Sequence, residues 1–134
     1  MGFLNRLQPL GLLALRVVLG LIMAVHGWQK IHGGMSHHVE MVAHLGMPGW
    51  LAYLSIAAEF LGGILLIVGF GTRIAALLVM VDMLVAMVKV HIHNGLAGQG
   101  GYQNVLAFAA MAFCLILTGA GAISVDWLMG NRGK

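Results

Sequence analysis

Trp50-Leu51-Ala52-Tyr53-Leu54-Ser55-Ile56-Ala57-Ala58-Glu59-Phe60-Leu61-Gly62-Gly63-Ile64-Leu65-Leu66-Ile67-Val68 decides the fold. The stretch is apolar apart from Ser55 and Glu59, and it has the length of one membrane crossing, about 20 residues. A carboxylate in such a segment costs several kcal/mol unless it is paired or reaches water. Gly62 and Gly63 follow at the third and fourth positions, on the helical face of Glu59. They remove side-chain bulk where another helix backbone can approach. Glu59 therefore points into a helix bundle and needs a partner.

The rest of the chain agrees with that solvent. Of its 134 residues 60% are hydrophobic and 8% charged, which excludes an ordinary soluble domain. The length suits a single domain, 1–134. A single cysteine, Cys114, excludes an internal disulfide and a C-x-x-C redox motif. The net charge of +3 is scattered, with no basic patch for nucleic acid.

Reading outward from Glu59, four apolar segments emerge, at about 10–28, 50–68, 74–90 and 103–118. Arg16 interrupts the first and no A-x-A site follows, so it reads as a span rather than a cleaved signal peptide. Between spans 1 and 2, Gly33-Gly34 breaks the helix and Ser36 to Leu45 reads as a short surface helix. The fold expected is an all-α integral membrane four-helix bundle with that surface helix. Arg6, Arg73, Arg132 and Lys134 then share one side, which the positive-inside rule makes cytoplasmic, with both termini. All seven histidines fall at or beyond the opposite, outer end.

Counting 1.5 Å per residue from the outer boundary, Glu59 and Asp82 lie about 12–13 Å deep and Arg16 roughly 18 Å deep. A guanidinium binds carboxylates with a fork of donors, so Arg16 is the expected partner of Glu59, Asp82 or both. Arg16, Gly20, Met23, Gly27 and Lys30 form one helical stripe, and Asp82, Val85, Ala86 and Lys89 a second. Two readings follow: an ion network that holds the helices in register, or a polar floor under an outward-facing pocket. The pocket would be floored by Arg16, Glu59 and Asp82 and rimmed by His26, Lys30, Lys89 and His91, with Gly20, Gly27, Gly62 and Gly63 leaving space. In the outer loop His37, Met41 and His44 share a face, and imidazole with thioether suits copper; the alternative is an amphipathic surface helix.

Taken in order, Arg16 with His26-Gly-Trp-Gln-Lys30, Leu45-Gly-Met-Pro48, Ala58-Glu59-Phe-Leu-Gly-Gly63, Gly71-Thr72-Arg73, His91 to Asn94 and Gly100-Gly101-Tyr102 resemble the DoxX family of small bacterial inner-membrane proteins. The resemblance covers nearly the whole chain. It implies a four-helix membrane bundle, and better-known relatives in the family are associated with quinone-linked oxidation of sulfur compounds and with membrane oxidoreductase complexes. Where the family often carries a glutamate after Gly-Gly-Tyr, this chain has Gln103. The function expected is an integral subunit of a quinone-linked oxidoreductase, in the bilayer with other membrane subunits or copies of itself. The alternatives are a non-catalytic scaffold or assembly subunit and a small-solute or copper carrier.

Overall fold

The computed structural model describes residues 2–91, 95–97 and 103–129, and among these every regular element is helical. Arg132, Lys134 and His93 lie outside the described residues, as does the side chain of His91. A short α1 (Gly2–Asn5) leads into α2 (Gln8–His44), then α3 (Leu51–Val68) and α4 (Thr72–Ala86). A π-helical segment, Met87–His91, extends α4; α5 (Gln103–Thr118) and a short α6 (Val125–Met129) complete the order. By length and composition α2 and α3 can each cross a membrane, and α5 is a shorter apolar helix.

Pro9 sits in the first turn of α2, where its missing N–H costs nothing. The buried residues of the first half of α2 are Arg16, Leu19, Gly20, Met23 and Gly27, the spacing of one helix face. The helix runs beyond the expected end of the first span. Only Gly34, at φ 146 and ψ 64, breaks its path, a backbone conformation open to glycine. The break falls at the expected Gly33-Gly34, so α2 is two helices run together across a kink, and the second, ending at His44, buries His38 and Val42.

Helices α2 and α3 pack antiparallel at backbone contact. A Cβ at Gly63 would lie 2.5 Å from both Ala24 N and Gly20 O, and one at Gly27 would lie 2.7 Å from Phe60 N. Opposing backbone fills the room that these glycines were expected to leave for a pocket. Gly62 faces the other way, toward Val79 of α4. Helix α3 ends at Gly69, left-handed at φ 76, whose N–H reaches Leu65 O at 2.8 Å. Helices α4 and α5 close the ring, with α5 also touching α2. The core joins Leu19, Met23, Leu66, Val79, Met83, Ala112 and Leu115.

The C-terminal segment is tied in more firmly than its polar sequence implies. Asp126 accepts from Gly71 N at 2.7 Å and Thr72 N at 2.8 Å, which caps α4. Across the helices the usual distribution is inverted: Arg16 and Glu59 are buried while Leu21, Leu61, Ile74 and Leu117 are exposed. Leucines facing outward over charges facing inward fit an apolar solvent around the helices.

Candidate functional site

A cavity of about 1430 Å³ opens among α2, α3, α4 and α5. Its walls are mostly apolar, with Ile22, Leu54, Leu78 and Phe108 among them. Lys30, Ser55, Glu59 and Asp82 supply its polar patch. Lys30 Nζ donates to Glu59 Oε2 at 2.6 Å; the Glu59 side chain is almost wholly buried and that of Lys30 is 32% exposed. The pair forms because antiparallel packing lays the turns of α2 beyond Gly27 beside the turns of α3 before Phe60. Ser55, one turn before Glu59, places its Oγ 3.1 Å from Glu59 Oε2 and 2.5 Å from Asp82 Oδ1. Lys30 thereby ties α2 to α3, and the Ser55 hydroxyl ties α3 to α4.

The structure brings together Lys30, Glu59 and Asp82 but not Arg16. The Arg16 guanidinium donates to three backbone carbonyls: from Nε to Leu66 at 2.7 Å, and from its two terminal nitrogens to Ala120 and Ile123, each at 2.8 Å. The expected pairing of Arg16 with the acids fails for a reason of register. Where Gly20 faces Gly63 and Gly27 faces Phe60, Arg16 falls beside Leu66 and Lys30 beside Glu59. Arg16 clamps the opposite end of the helix ring and is no part of the cavity.

Among the other expected residues, His26 and Lys89 line the cavity. His26 also meets the Phe108 ring edge-on, centroids 6.5 Å apart. His37 and Met41 line it as well, whereas His44 is exposed and does not, so the three expected copper ligands do not share the cavity. Among the described residues no three His, Cys, Asp or Glu side chains gather as a metal site.

Two residues of the site were missed. Ser55 carried a signal, a polar residue one turn from a buried acid. His38, beyond the kink at Gly34, is buried and lines the cavity, and among the described residues its Nε2 has no hydrogen-bond partner. Nothing in the spacing of the loop histidines distinguishes it, because its burial depends on how the kinked half of α2 folds back.

The DoxX family model matches residues 11–92. A Bacillus subtilis protein named "Putative oxidoreductase CatD" is 30% identical over 123 residues, covering 92% of this chain and 90% of its own. The Escherichia coli inner membrane protein YqjF is 30% identical over 131 residues, 96% of this chain and 99% of the relative. Its counterpart YphA is 33% identical over 127 residues, 89% and 90% of the two chains. No solved structure matches the chain.

Proposed function

Since the chain belongs to the DoxX family, we propose that it is an integral bacterial inner-membrane protein whose cavity binds a quinone, as a subunit of an oxidoreductase system. Two relatives are named inner membrane proteins and one is named for oxidoreduction, which supports both halves of the reading. The observation that carries it is the Lys30–Glu59–Ser55–Asp82 cluster inside an otherwise apolar cavity. That combination suits an amphipathic ligand with a flat polar head and an apolar tail.

The residues fit such a head group. Lys30 spends one of its three N–H donors on Glu59 and has others for a carbonyl oxygen. His38 Nε2, buried and without a hydrogen-bond partner among the described residues, offers a second hydrogen-bonding group at the cavity wall. Phe108 and Leu78 give the ring and tail an apolar surface. Bound there, a quinone supplies two-electron, two-proton chemistry, with the electrons coming from a partner protein. The chain's own residues bind the head, orient it and connect it to protons through Lys30, the partly exposed member of the cluster.

Titrating a short-chain quinone into purified protein tests this. Saturable binding is expected, weaker by about tenfold in His38→Ala, the loss of roughly one hydrogen bond in a desolvated site. Glu59→Gln is expected to weaken it as well. No saturable binding, or equal binding by all three proteins, would reject the site. A stoichiometric protein partner with no quinone would favour the scaffold reading, and bound copper the carrier reading.

The proposed topology has α2 to α5 crossing the membrane, both termini cytoplasmic, and the cavity mouth outside. Arg6 and Arg73 lie at the end opposite the histidines, which supports it. In a Cys114→Ser background, Ser36→Cys is expected to react with an impermeant thiol reagent added to intact cells, and Phe70→Cys is not. Both positions are exposed, so accessibility within the fold does not separate them. Labelling at Phe70→Cys alone would invert the orientation.

A further inference from the structure

We propose that Glu59 and Asp82 hold one exchangeable proton between them, and that Lys30 sets that number at one. The use of this proton at a quinone head group rests on the reading above; the proton count does not.

Hydrogen-bond valence carries the inference. Ser55 Oγ contacts a carboxyl oxygen on each side, Glu59 Oε2 at 3.1 Å and Asp82 Oδ1 at 2.5 Å. A hydroxyl has one proton to donate. With both acids ionised, one of these contacts would set a carboxylate oxygen against a lone pair. Both carboxyl groups converge on that one hydroxyl, so two carboxylates would face each other across a single oxygen. Asp82 Oδ2 is buried and has no partner among the described residues, a costly position for an ionised oxygen.

One arrangement satisfies the Lys30 and Ser55 contacts together. The Asp82 carboxyl O–H donates to Ser55 Oγ, Ser55 O–H donates to Glu59 Oε2, and Lys30 donates to that same oxygen. The cluster then holds one cation, one anion and one neutral acid, and its net charge is zero. A second proton would leave the Lys30 ammonium without a counter-charge, and removing the first would leave two like charges in contact.

The surroundings leave that count to Lys30. Helix α2 adds only His26, His37 and His38 to the cavity wall, and α3 adds no other titratable group there. The π-helical extension of α4 adds Lys89, seven residues beyond Asp82 and about 10 Å along the axis. Helix α5 faces the cavity with the uncharged Gln103 and Asn104. Among the described residues, Lys30–Glu59 is the one ion pair. Lys30 is the exposed member of the ion pair, 32% against 3% for Glu59, which puts the exchange route of the proton on that side.

Infrared spectroscopy of purified protein in H2O and D2O, without added ligand, tests the count. The chain has four acidic side chains, Glu40, Glu59, Asp82 and Asp126, so a protonated-carboxyl absorption is assignable. One deuterium-sensitive absorption is expected at neutral pH, lost in Asp82→Asn and retained in Asp126→Asn. In Lys30→Met it is expected to grow roughly twofold, as both acids become neutral. If the variants do not fold, the wild type still decides: the absorption is expected to vanish in one alkaline transition. No such absorption at neutral pH, or one that survives Asp82→Asn, overturns the proposal. Because no ligand is present, a failed quinone titration leaves this result standing, and the reverse also holds.

Discussion

Replacing Arg16 with alanine is expected to lower the folded yield and melting temperature more than any other single charge removal in this chain. The guanidinium is 2% exposed and holds carbonyls from two separate parts of the chain, the end of α3 and the loop before α6. Each hydrogen bond to a charged group contributes about 1.5–3 kcal/mol, and each orphaned buried carbonyl costs about 1–3 kcal/mol. The three losses overlap, so a total on the order of several kcal/mol is expected. Arg16→Lys is expected to recover little, because one ammonium cannot reproduce the planar fork that spans three carbonyls. Adding Glu59→Gln to Arg16→Ala is expected to give no rescue, since the two side chains touch different partners. Thermal melts in detergent of the single and double variants check this. A double variant more stable than Arg16→Ala alone would restore the ion pair that the structure rejects.

Gly63→Ala is the second large effect. The added methyl would lie 2.5 Å from Ala24 N and Gly20 O, both backbone atoms, so no side-chain rotation can relieve the clash. Helices α2 and α3 must move apart, and overpacking of this kind typically costs about 1–3 kcal/mol, occasionally more. The shift also reaches the cavity, because the same interface sets Lys30 against Glu59. Gly11→Ala is the matched control: nothing lies within 4 Å of its added methyl. In an exposed helical position that change is expected to be neutral or stabilising by up to about 1 kcal/mol. Equal melting temperatures for Gly63→Ala and Gly11→Ala would mean that the two helices do not meet at backbone contact.

Much of the architecture was legible in local pattern. The apolar run from Trp50 to Val68 contains α3, and its glycines do sit at helix contacts. The stripe Arg16, Gly20, Met23, Gly27 belongs to the buried face of α2, since a period of three and four residues survives whatever the helix packs against. That Glu59 would be buried and would need a partner followed from its apolar neighbours alone. The stripe Asp82, Val85, Ala86, Lys89 lines one cavity because a helix face turns as a unit.

Partner choice was a tertiary decision. The sequence pattern showed three buried charges, with Lys30 and Lys89 near the outer boundary, and depth counting set Arg16 about 5 Å below the acids, within reach of its long side chain. The antiparallel register of α2 on α3 instead delivers Lys30 to Glu59 and Arg16 to Leu66, 50 residues away in sequence. The other Arg16 acceptors, Ala120 and Ile123, lie 104 and 107 residues away, in a loop held near the α3–α4 turn in part by Asp126. Backbone carbonyls leave no trace in a pattern of side chains, so nothing local marked them as ligands for a guanidinium. His38 and Ser55 joined the site in the same way, one through a fold-back at Gly34 and the other through the approach of α4. What the chain determined by itself was which groups must be buried and which faces they share. Which of those groups meet was settled by helix register, a property of the packed pairs and of no single segment.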